Sequence, residues 1–339
     1  MAFMHQELND MQFIPAPAGV ATPYIQHQTE DGITDCYGTT APSDAATGYA
    51  PGCVFRDVDS GAVYINEGTS ASADFNQVNT TANVLSQIEA TEQSGTAAGA
   101  GPSPLIWDDA KLLEAMLDPT KGVYYFDDYM GPIDVTTGDG YVITQVTSGE
   151  ISAVTDEDGG VLLVDSGGSA SADDGVNVQL TNCMFKPAAG RTIRFEARVK
   201  FNDNSANTSQ FAVGLAGVDT TIIAAGVIDD VVDKALWFHH AATTADKMSV
   251  IAARGNAEDI DADKATTADD TYIKLGFVIN GLTSIEWYAN GVLVHTSDVA
   301  ANIPDAVMCL TYVAQVEGTS ADSEMSVDWV RILQEGARS

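Results

Sequence analysis

The segment from Thr192 to Phe201 constrains the fold more than any other part of the sequence. Its apolar side chains, from Ile193 to Phe201, occupy every second position. Polar residues fill the positions between them, which are Thr192, Arg194, Glu196, Arg198 and Lys200. Because successive side chains of a strand point to opposite faces, this alternation predicts a half-buried strand of an antiparallel sheet.

Further short strands are predicted along the C-terminal two thirds of the chain. They cover residues 210–216, 235–240, 247–253, 272–279, 284–289, 292–296, 307–316 and 325–333. Asn290-Gly291 lies between two of them and is the preferred pair for a two-residue type I′ hairpin. Many short strands with such turns predict a mainly β chain, with a two-sheet antiparallel sandwich or barrel over residues 122–335.

A linker and a helix are predicted before the sandwich, over residues 94–121. Residues 94–102 are small and indicate a flexible connection and a domain boundary. Ser103 is suited to cap a helix and Pro104 to begin it, and Asp118-Pro119 ends it. The predicted apolar stripe is Ile106, Ala110, Leu113 and Leu117, and Trp107 is expected to seal the helix against the sandwich.

The N-terminal part is predicted to lack a core of its own. Residues 1–50 contain no Lys or Arg, several prolines and no sustained periodicity, which favours an extended arm that becomes ordered on another surface. A disordered tail is the alternative. Residues 51–93 predict a small hairpin and helix module, with two short strands around Asp59-Ser60-Gly61. A two-stranded unit is too small to be stable alone.

The charge of the chain restricts its partners. Its 48 acidic residues against 15 Lys and Arg give a net charge of −33, which argues against nucleic acid and anionic membranes as partners. The sequence shows no leader peptide and no apolar run near the roughly 18 residues that span a bilayer, so synthesis in a cytoplasm is predicted. The four cysteines are far apart in sequence and are interpreted as reduced, partly buried apolar side chains.

Two acidic segments raise the question of a metal ion. Asp259, Asp261 and Asp263 alternate as in calcium loops, but Lys264 and Asp270 stand where such a loop needs Gly and Glu. A solvated acidic loop is therefore the preferred interpretation. The run 156–158 is likewise interpreted as an acidic turn. We expect no cofactor, with calcium as the alternative.

Trp237-Phe238-His239-His240 is the one aromatic and imidazole cluster. The two histidines are neighbours on a strand and point to opposite faces, so they cannot bind one ion together. Trp237 and His239 share a face and are candidate glycan-binding residues. A core tryptophan with a histidine beside it is the preferred alternative, and Trp287 and Trp329 are also predicted to be core residues.

Four segments carry a resemblance to a known family. They are Tyr125-Phe126-Asp127-Asp128-Tyr129, Arg194-Phe195-Glu196-Ala197-Arg198-Val199, the hairpin 285–294, and Val327-Asp328-Trp329-Val330-Arg331-Ile332. In order and spacing they resemble the concanavalin A-like lectin/glucanase jelly roll. The enzymes of that family carry Glu-x-Asp-x-x-Glu along one strand. Because the sequence contains no such spacing, and no other catalytic motif, we predict that the chain is not an enzyme.

A second resemblance concerns residues 52–55, 66–69 and 73–78, which are similar to a small module of head-associated proteins of tailed bacteriophages. It implies a virion protein on the capsid exterior, docked on the major capsid protein and, by resemblance to decoration proteins, a homotrimer. The expected docking residues are Phe3, Phe13, Ile14, Tyr24, Ile25, Phe55, Tyr64 and Phe75. A glycan-binding adhesin or tail-fibre component, whose partners are host-surface glycans, is the alternative, followed by a polysaccharide depolymerase.

Overall fold

The computed structural model describes most of the chain and divides it into two compact units, Met1–Gln87 and Ile88–Ser339. The described residues are 24–78, 99–131, 140–155, 157, 159–168, 174–202, 209–224, 227–228, 231–240, 244–316 and 323–336. Within these residues, no helix is long and apolar enough to cross a bilayer.

The first unit is a five-stranded sheet whose strands lie side by side in chain order. They are β1 (Tyr24–Thr29), β2 (Gly32–Gly38), β3 (Tyr49–Asp57), β4 (Val63–Asn66) and β5 (Phe75–Gln77). β2 and β3 pair in parallel, and the other pairs are antiparallel. The turn between β3 and β4 uses Gly61 at φ 74°, so the expected hairpin is present.

This first sheet has a small core, which corrects the prediction that the N-terminal part has none. The core consists of Cys36, Cys53, Phe55, Ala73 and Phe75. Residues 24–38 are paired strands of the same sheet rather than an extended arm. Sequence periodicity missed the core because each short strand contributes only one or two buried side chains.

The second unit is an antiparallel jelly-roll β-sandwich of two sheets, which confirms the predicted fold class. Its strands are β6 (Gly122–Asp127), β7 (Tyr141–Val146), β8 (Glu150–Ala153), β9 (Leu162–Asp165), β10 (Asp174–Leu180), β11 (Thr192–Phe201), β12 (Ser209–Ala216), β13 (Ile223–Ala224), β14 (Val227–Ile228), β15 (Lys234–His239), β16 (Lys247–Arg254), β17 (Ala257–Thr266), β18 (Ile273–Asn280), β19 (Ser284–Ala289), β20 (Val292–Ser297), β21 (Cys309–Val316) and β22 (Glu324–Glu335). One sheet has the order β17-β16-β15-β12-β21-β10-β7, and the other β20-β19-β18-β11-β22-β9-β8 with β6 also paired to β22. β13 and β14 form a separate pair.

The core lies between the two sheets and is rich in aromatic side chains. Phe195 stacks on Phe277 with ring centres 4.7 Å apart, and Trp287 contacts Phe277 and Trp237 edge to face. β11 has the predicted bounds, because its alternation is strict. Asn290 and Gly291 have φ values of 47° and 71°, as a type I′ turn requires.

The predicted helix before the sandwich is two short helices, α1 (Pro104–Trp107) and α2 (Leu112–Leu117). The Ser103 side chain makes no capping hydrogen bond, and Leu117 is 73% exposed, so the predicted stripe is only partly correct. Residues 99–118, which we call the covering segment, contribute Ile106, Trp107, Ala110 and Ala115 to a cluster with Val278, Tyr288 and Leu333. Trp107 is fully buried there, as expected.

The acidic segment around Asp261 is a strand and not the predicted loop. It belongs to β17, at the edge of the seven-stranded sheet. Asp261 forms an ion pair with Lys264 at 2.7 Å, and its Oδ2 lies 3.0 Å from His295 Nδ1. Charged side chains on an edge strand hinder its pairing with a strand of another chain. This explains the acidic residues of β17 without a metal ion.

Candidate functional site

An open cleft of about 430 Å³ lies on the outer face of the eight-stranded sheet, where β6 pairs with β22. Three aromatic and three charged side chains line it, together with two glycines and a proline. These are Tyr124, Phe126 and Trp329, then Asp128, Asp328 and Arg331, and finally Gly159, Gly160 and Pro102.

β6 supplies one wall of the cleft. Tyr124 and Phe126 lie two residues apart, so they share one face of the strand, and Asp128 follows just beyond its end. Phe126 is 47% exposed. The opposite face carries Tyr125, whose hydroxyl lies 2.7 Å from that of Tyr141 and donates to Asp127. The strand is thereby fixed from its inner side while its outer side remains open.

β22 supplies the second wall through a bulge. Arg198 of β11 lies opposite Trp329, and the next residue, Val199, lies opposite Val327, so Asp328 is the extra residue. The Trp329 indole N–H donates to the carbonyl oxygen of Ala100 at 2.9 Å. Trp329 is 9% exposed and so is buried, as predicted, but it lines the cleft and does not belong to the cluster between the two sheets. Trp287 is fully buried in the core, as predicted.

Gly159 and Gly160 form the floor of the cleft. A Cβ atom at position 160 would lie 2.1 Å from the carbonyl carbon of Tyr129, so only glycine fits there. Gly159 has open space around it but adopts φ 83°, which favours glycine for conformational reasons.

The covering segment fixes the third side of the cleft. The Trp107 indole N–H and the Ser103 backbone N–H both donate to Glu196 Oε2, at 2.7 and 2.9 Å. Lys274 Nζ donates to the carbonyl oxygen of Gly101 at 2.8 Å. These contacts hold Pro102 against the cleft. Burial raises the pKa of Glu196, because the carboxylate has left water.

The charged groups of the cleft differ in their partners. Asp328 forms an ion pair with Arg198, whose guanidinium lies 3.9 Å from the centre of the Tyr272 ring. Arg331 lies 4.5 Å from the centre of the Trp107 ring, and burial lowers its pKa. An arginine nevertheless stays a cation at neutral pH. Asp128 makes no hydrogen bond or ion pair with any described residue.

These groups together suit a ligand with both apolar faces and hydroxyl groups. Exposed aromatic rings can stack on the C–H face of a sugar ring, and carboxylates accept hydrogen bonds from hydroxyl groups. The volume falls within the range of small-molecule sites. The alternation of Tyr124, Phe126 and Asp128 is visible in the sequence, but the bulge at Asp328 is not.

The structure places the predicted glycan-binding residues inside the protein. Trp237 and His239 are both 0% exposed. The Trp237 indole N–H donates to Gly276 O at 3.1 Å, and His239 Nδ1 lies 2.8 Å from Lys247 O. A surface glycan cannot reach them, so the core alternative is correct.

The predicted docking residues fall into three groups. Phe3, Phe13 and Ile14 lie outside the described residues, and so does the side chain of Tyr24. Ile25 and Tyr64 are partly exposed. Phe55 is 0% exposed and Phe75 is 9% exposed, both in the core of the first unit, so they are not available to another surface.

The acidic segments do not form a metal site in the part of the chain that the structure describes, where no group of three or more His, Cys, Asp or Glu side chains could hold an ion. Asp156 and Asp158 lie outside that part. Glu157 forms an ion pair with Lys200 at 3.4 Å.

Comparison with known proteins gives a fold but no family. No protein-family model matches the chain, and no curated protein matches it. Among solved structures, it is similar to an endo-1,3-β-glucanase from Streptomyces sioyaensis (14% identity, 65% of this chain and 98% of that one, TM-score 0.43). An endo-β-1,4-glucuronan lyase from Trichoderma reesei is also similar (12% identity, 65% of this chain and 96% of that one, TM-score 0.44). A protein of unknown function from Shewanella oneidensis MR-1 is similar as well (10% identity, 77% of this chain and 98% of that one, TM-score 0.46).

The prediction that the chain is not an enzyme is contradicted by these comparisons. A glucanase and a lyase are among the solved structures with similar folds. At these low identities the likeness shows the fold alone, and it does not bear on the virion role expected for the N-terminal part.

Proposed function

We propose that the second unit binds a glycan in the cleft between β6 and β22. The observation that supports this proposal is the combination of three aromatic side chains with carboxylates around one open cavity. Phe126 offers an exposed ring, and Asp128 offers a carboxylate without a partner among the described residues. A sugar ring stacked on Phe126 would place its hydroxyl groups toward Asp128.

The expected energy of one stacking contact can be estimated from exposure. Because Phe126 is 47% exposed, covering its exposed part contributes about 1 kcal/mol. A loss of that size weakens binding about fivefold. Phe126→Ala should change the stability of the fold only slightly, because about half of the side chain is already exposed to water.

The test is titration calorimetry of the full chain with neutral glucose and N-acetylglucosamine trisaccharides. Phe126→Ala should weaken binding about fivefold. Leu293→Ala is the matched control, because Leu293 is also 47% exposed and lies on β20 of the same sheet, away from the cleft. Equal affinity of the wild type and Phe126→Ala, or no binding by the wild type, would refute the proposal.

Turnover is measured on the same samples. Products released from each oligosaccharide are followed for the wild type, Phe126→Ala and Leu293→Ala. Product formation that falls with Phe126→Ala and not with Leu293→Ala would identify the cleft as the place where a bound glycan reacts.

A second proposal concerns the first unit. The resemblance of residues 52–55, 66–69 and 73–78 to a phage head module supports attachment to a virion shell, with the major capsid protein as partner. Of the expected docking residues in the described part, Ile25 and Tyr64 are partly exposed. Ile25→Asp and Tyr64→Asp in the full chain should each reduce its occupancy on purified capsids, with Val78→Asp as an exposed control. Unchanged occupancy would refute this proposal.

A further inference from the structure

The basic side chains near the cleft already have partners within the protein. Arg198 pairs with Asp328, and Lys200 pairs with Glu157 at 3.4 Å. Lys274 donates to the Gly101 carbonyl oxygen, and Arg331 lies over the Trp107 ring. Arg331 lines the cleft and stays a cation, but it is only 6% exposed, so a sugar in the cleft reaches less of its charged group than of the partly exposed Asp128 carboxylate.

Asp128 stands in contrast to these cations. It lines the cleft and is partly exposed, and its carboxylate has no hydrogen bond or ion pair within the described ranges. The chain also carries a net charge of −33. Within the Debye length of the solution, this charge repels polyanions and attracts cations. The contacts in the cleft and the negative charge of the whole chain therefore both favour a positively charged ligand.

We propose that the preferred ligand of the cleft is a cationic amino sugar, a glycan whose ring carries a protonated primary amine. The ammonium group supplies three donors and a positive charge to the Asp128 carboxylate. The sugar ring meanwhile covers Phe126, and an ammonium beside an aromatic ring gains a further attraction. This inference rests on the proposed glycan-binding function and adds the chemical class of the sugar.

The experiment compares four trisaccharides of equal length, built from glucosamine, N-acetylglucosamine, glucose and glucuronic acid. Binding to the full chain is measured at about pH 6, where an aliphatic amine is protonated and an ordinary aspartate is ionised. Short ligands and about 0.15 M salt limit non-specific attraction between a polycation and an acidic protein. The variants are Asp128→Asn and Asp298→Asn, the second being an exposed carboxylate just after the end of β20 and outside the cleft lining that matches the change in net charge.

The glucosamine trimer should bind about fivefold more tightly than the glucose trimer, as expected for one partly exposed charge pair. Asp128→Asn should remove that preference, because it should weaken binding of the glucosamine trimer more than binding of the glucose trimer, whereas Asp298→Asn should leave both affinities unchanged. Equal affinity for the two trimers, tighter binding of glucuronic acid, or equal losses in the two variants would overturn the inference while the glycan-binding function stands. Absence of binding by all four trimers would refute the function itself.

Discussion

Trp107→Phe tests whether the covering segment is fixed by a hydrogen bond to a buried carboxylate. Trp107 is fully buried, and its indole N–H donates to Glu196 Oε2 at 2.7 Å. The ring also carries the guanidinium of Arg331 on its face. Phenylalanine keeps an aromatic ring in this place but cannot donate to Glu196.

The expected cost follows from these contacts. A hydrogen bond to a charged group contributes about 1.5–3 kcal/mol, because its loss leaves a buried carboxylate short of a donor. The smaller ring adds a cavity worth about 1 kcal/mol. The free energy of unfolding of the second unit should therefore fall by about 3 kcal/mol, which corresponds to roughly 6–12 °C in melting temperature for a domain of this size.

The assay is urea denaturation of the full chain, followed by intrinsic fluorescence and circular dichroism. Trp287→Phe is the matched control, because Trp287 is equally buried but donates to the neutral hydroxyl of Ser297 at 3.2 Å. A double-mutant cycle with Glu196→Gln isolates the pairwise energy. The reasoning is refuted if Trp107→Phe costs no more than Trp287→Phe and the cycle gives no coupling.

Three further predictions concern the floor of the cleft, the buried carboxylate and the first unit. Gly160→Ala should destabilise the second unit by at least about 2 kcal/mol, since its Cβ would overlap the Tyr129 backbone, whereas Gly159→Ala should cost only about 1 kcal/mol for its positive φ. Thermal melts that rank the two the other way would contradict this. Burial raises the pKa of Glu196 above its ordinary value of 4.5. The stability that comes from this shift is therefore fully present below pH 4.5 and is lost as pH rises through the raised pKa. Glu196→Gln should therefore gain stability relative to the wild type between pH 4.5 and pH 8 in urea titrations, and a constant difference would argue against the shift. Phe55→Ala should cost the first unit about 3–5 kcal/mol, measured as loss of amide-exchange protection in residues 24–78 with the second unit unaffected. Unchanged protection of those residues would show that this core does not hold the sheet together.

The sandwich could be predicted because strands such as β11 alternate apolar and polar residues. In β11 every second residue is apolar, and the structure gives that strand the predicted bounds. The core of the first unit escaped prediction for the opposite reason. Cys36, Phe55 and Phe75 each come from a different short strand, so no single segment shows a period.

The cleft depended on two features that sequence patterns do not contain. A single extra residue, Asp328, shifts Trp329 from the expected inner face of β22 to its outer face. The covering segment then provides Ala100 and Pro102, which lie more than two hundred residues earlier in the chain. Contacts over such sequence distances come from topology, and the alternation of Tyr124 and Phe126 alone does not predict them.

The charge selectivity of the cleft depends on the Arg198–Asp328 ion pair, and Asp328→Asn tests this dependence. In the wild type the pair neutralises both groups and the Arg331 side chain is 6% exposed, so the partly exposed Asp128 carboxylate sets the sign of the preferred ligand charge. Asp328→Asn removes one negative charge and leaves the Arg198 guanidinium over Tyr272 without its carboxylate partner. We expect the glucuronic acid trimer to bind about fivefold more tightly to this variant than to the wild type, and the preference for glucosamine to shrink. Arg198→Gln is the opposite change and should strengthen the glucosamine preference. If both variants keep the wild-type order of affinities for the glucosamine and glucuronic acid trimers, the Arg198–Asp328 pair does not determine the charge selectivity of the cleft.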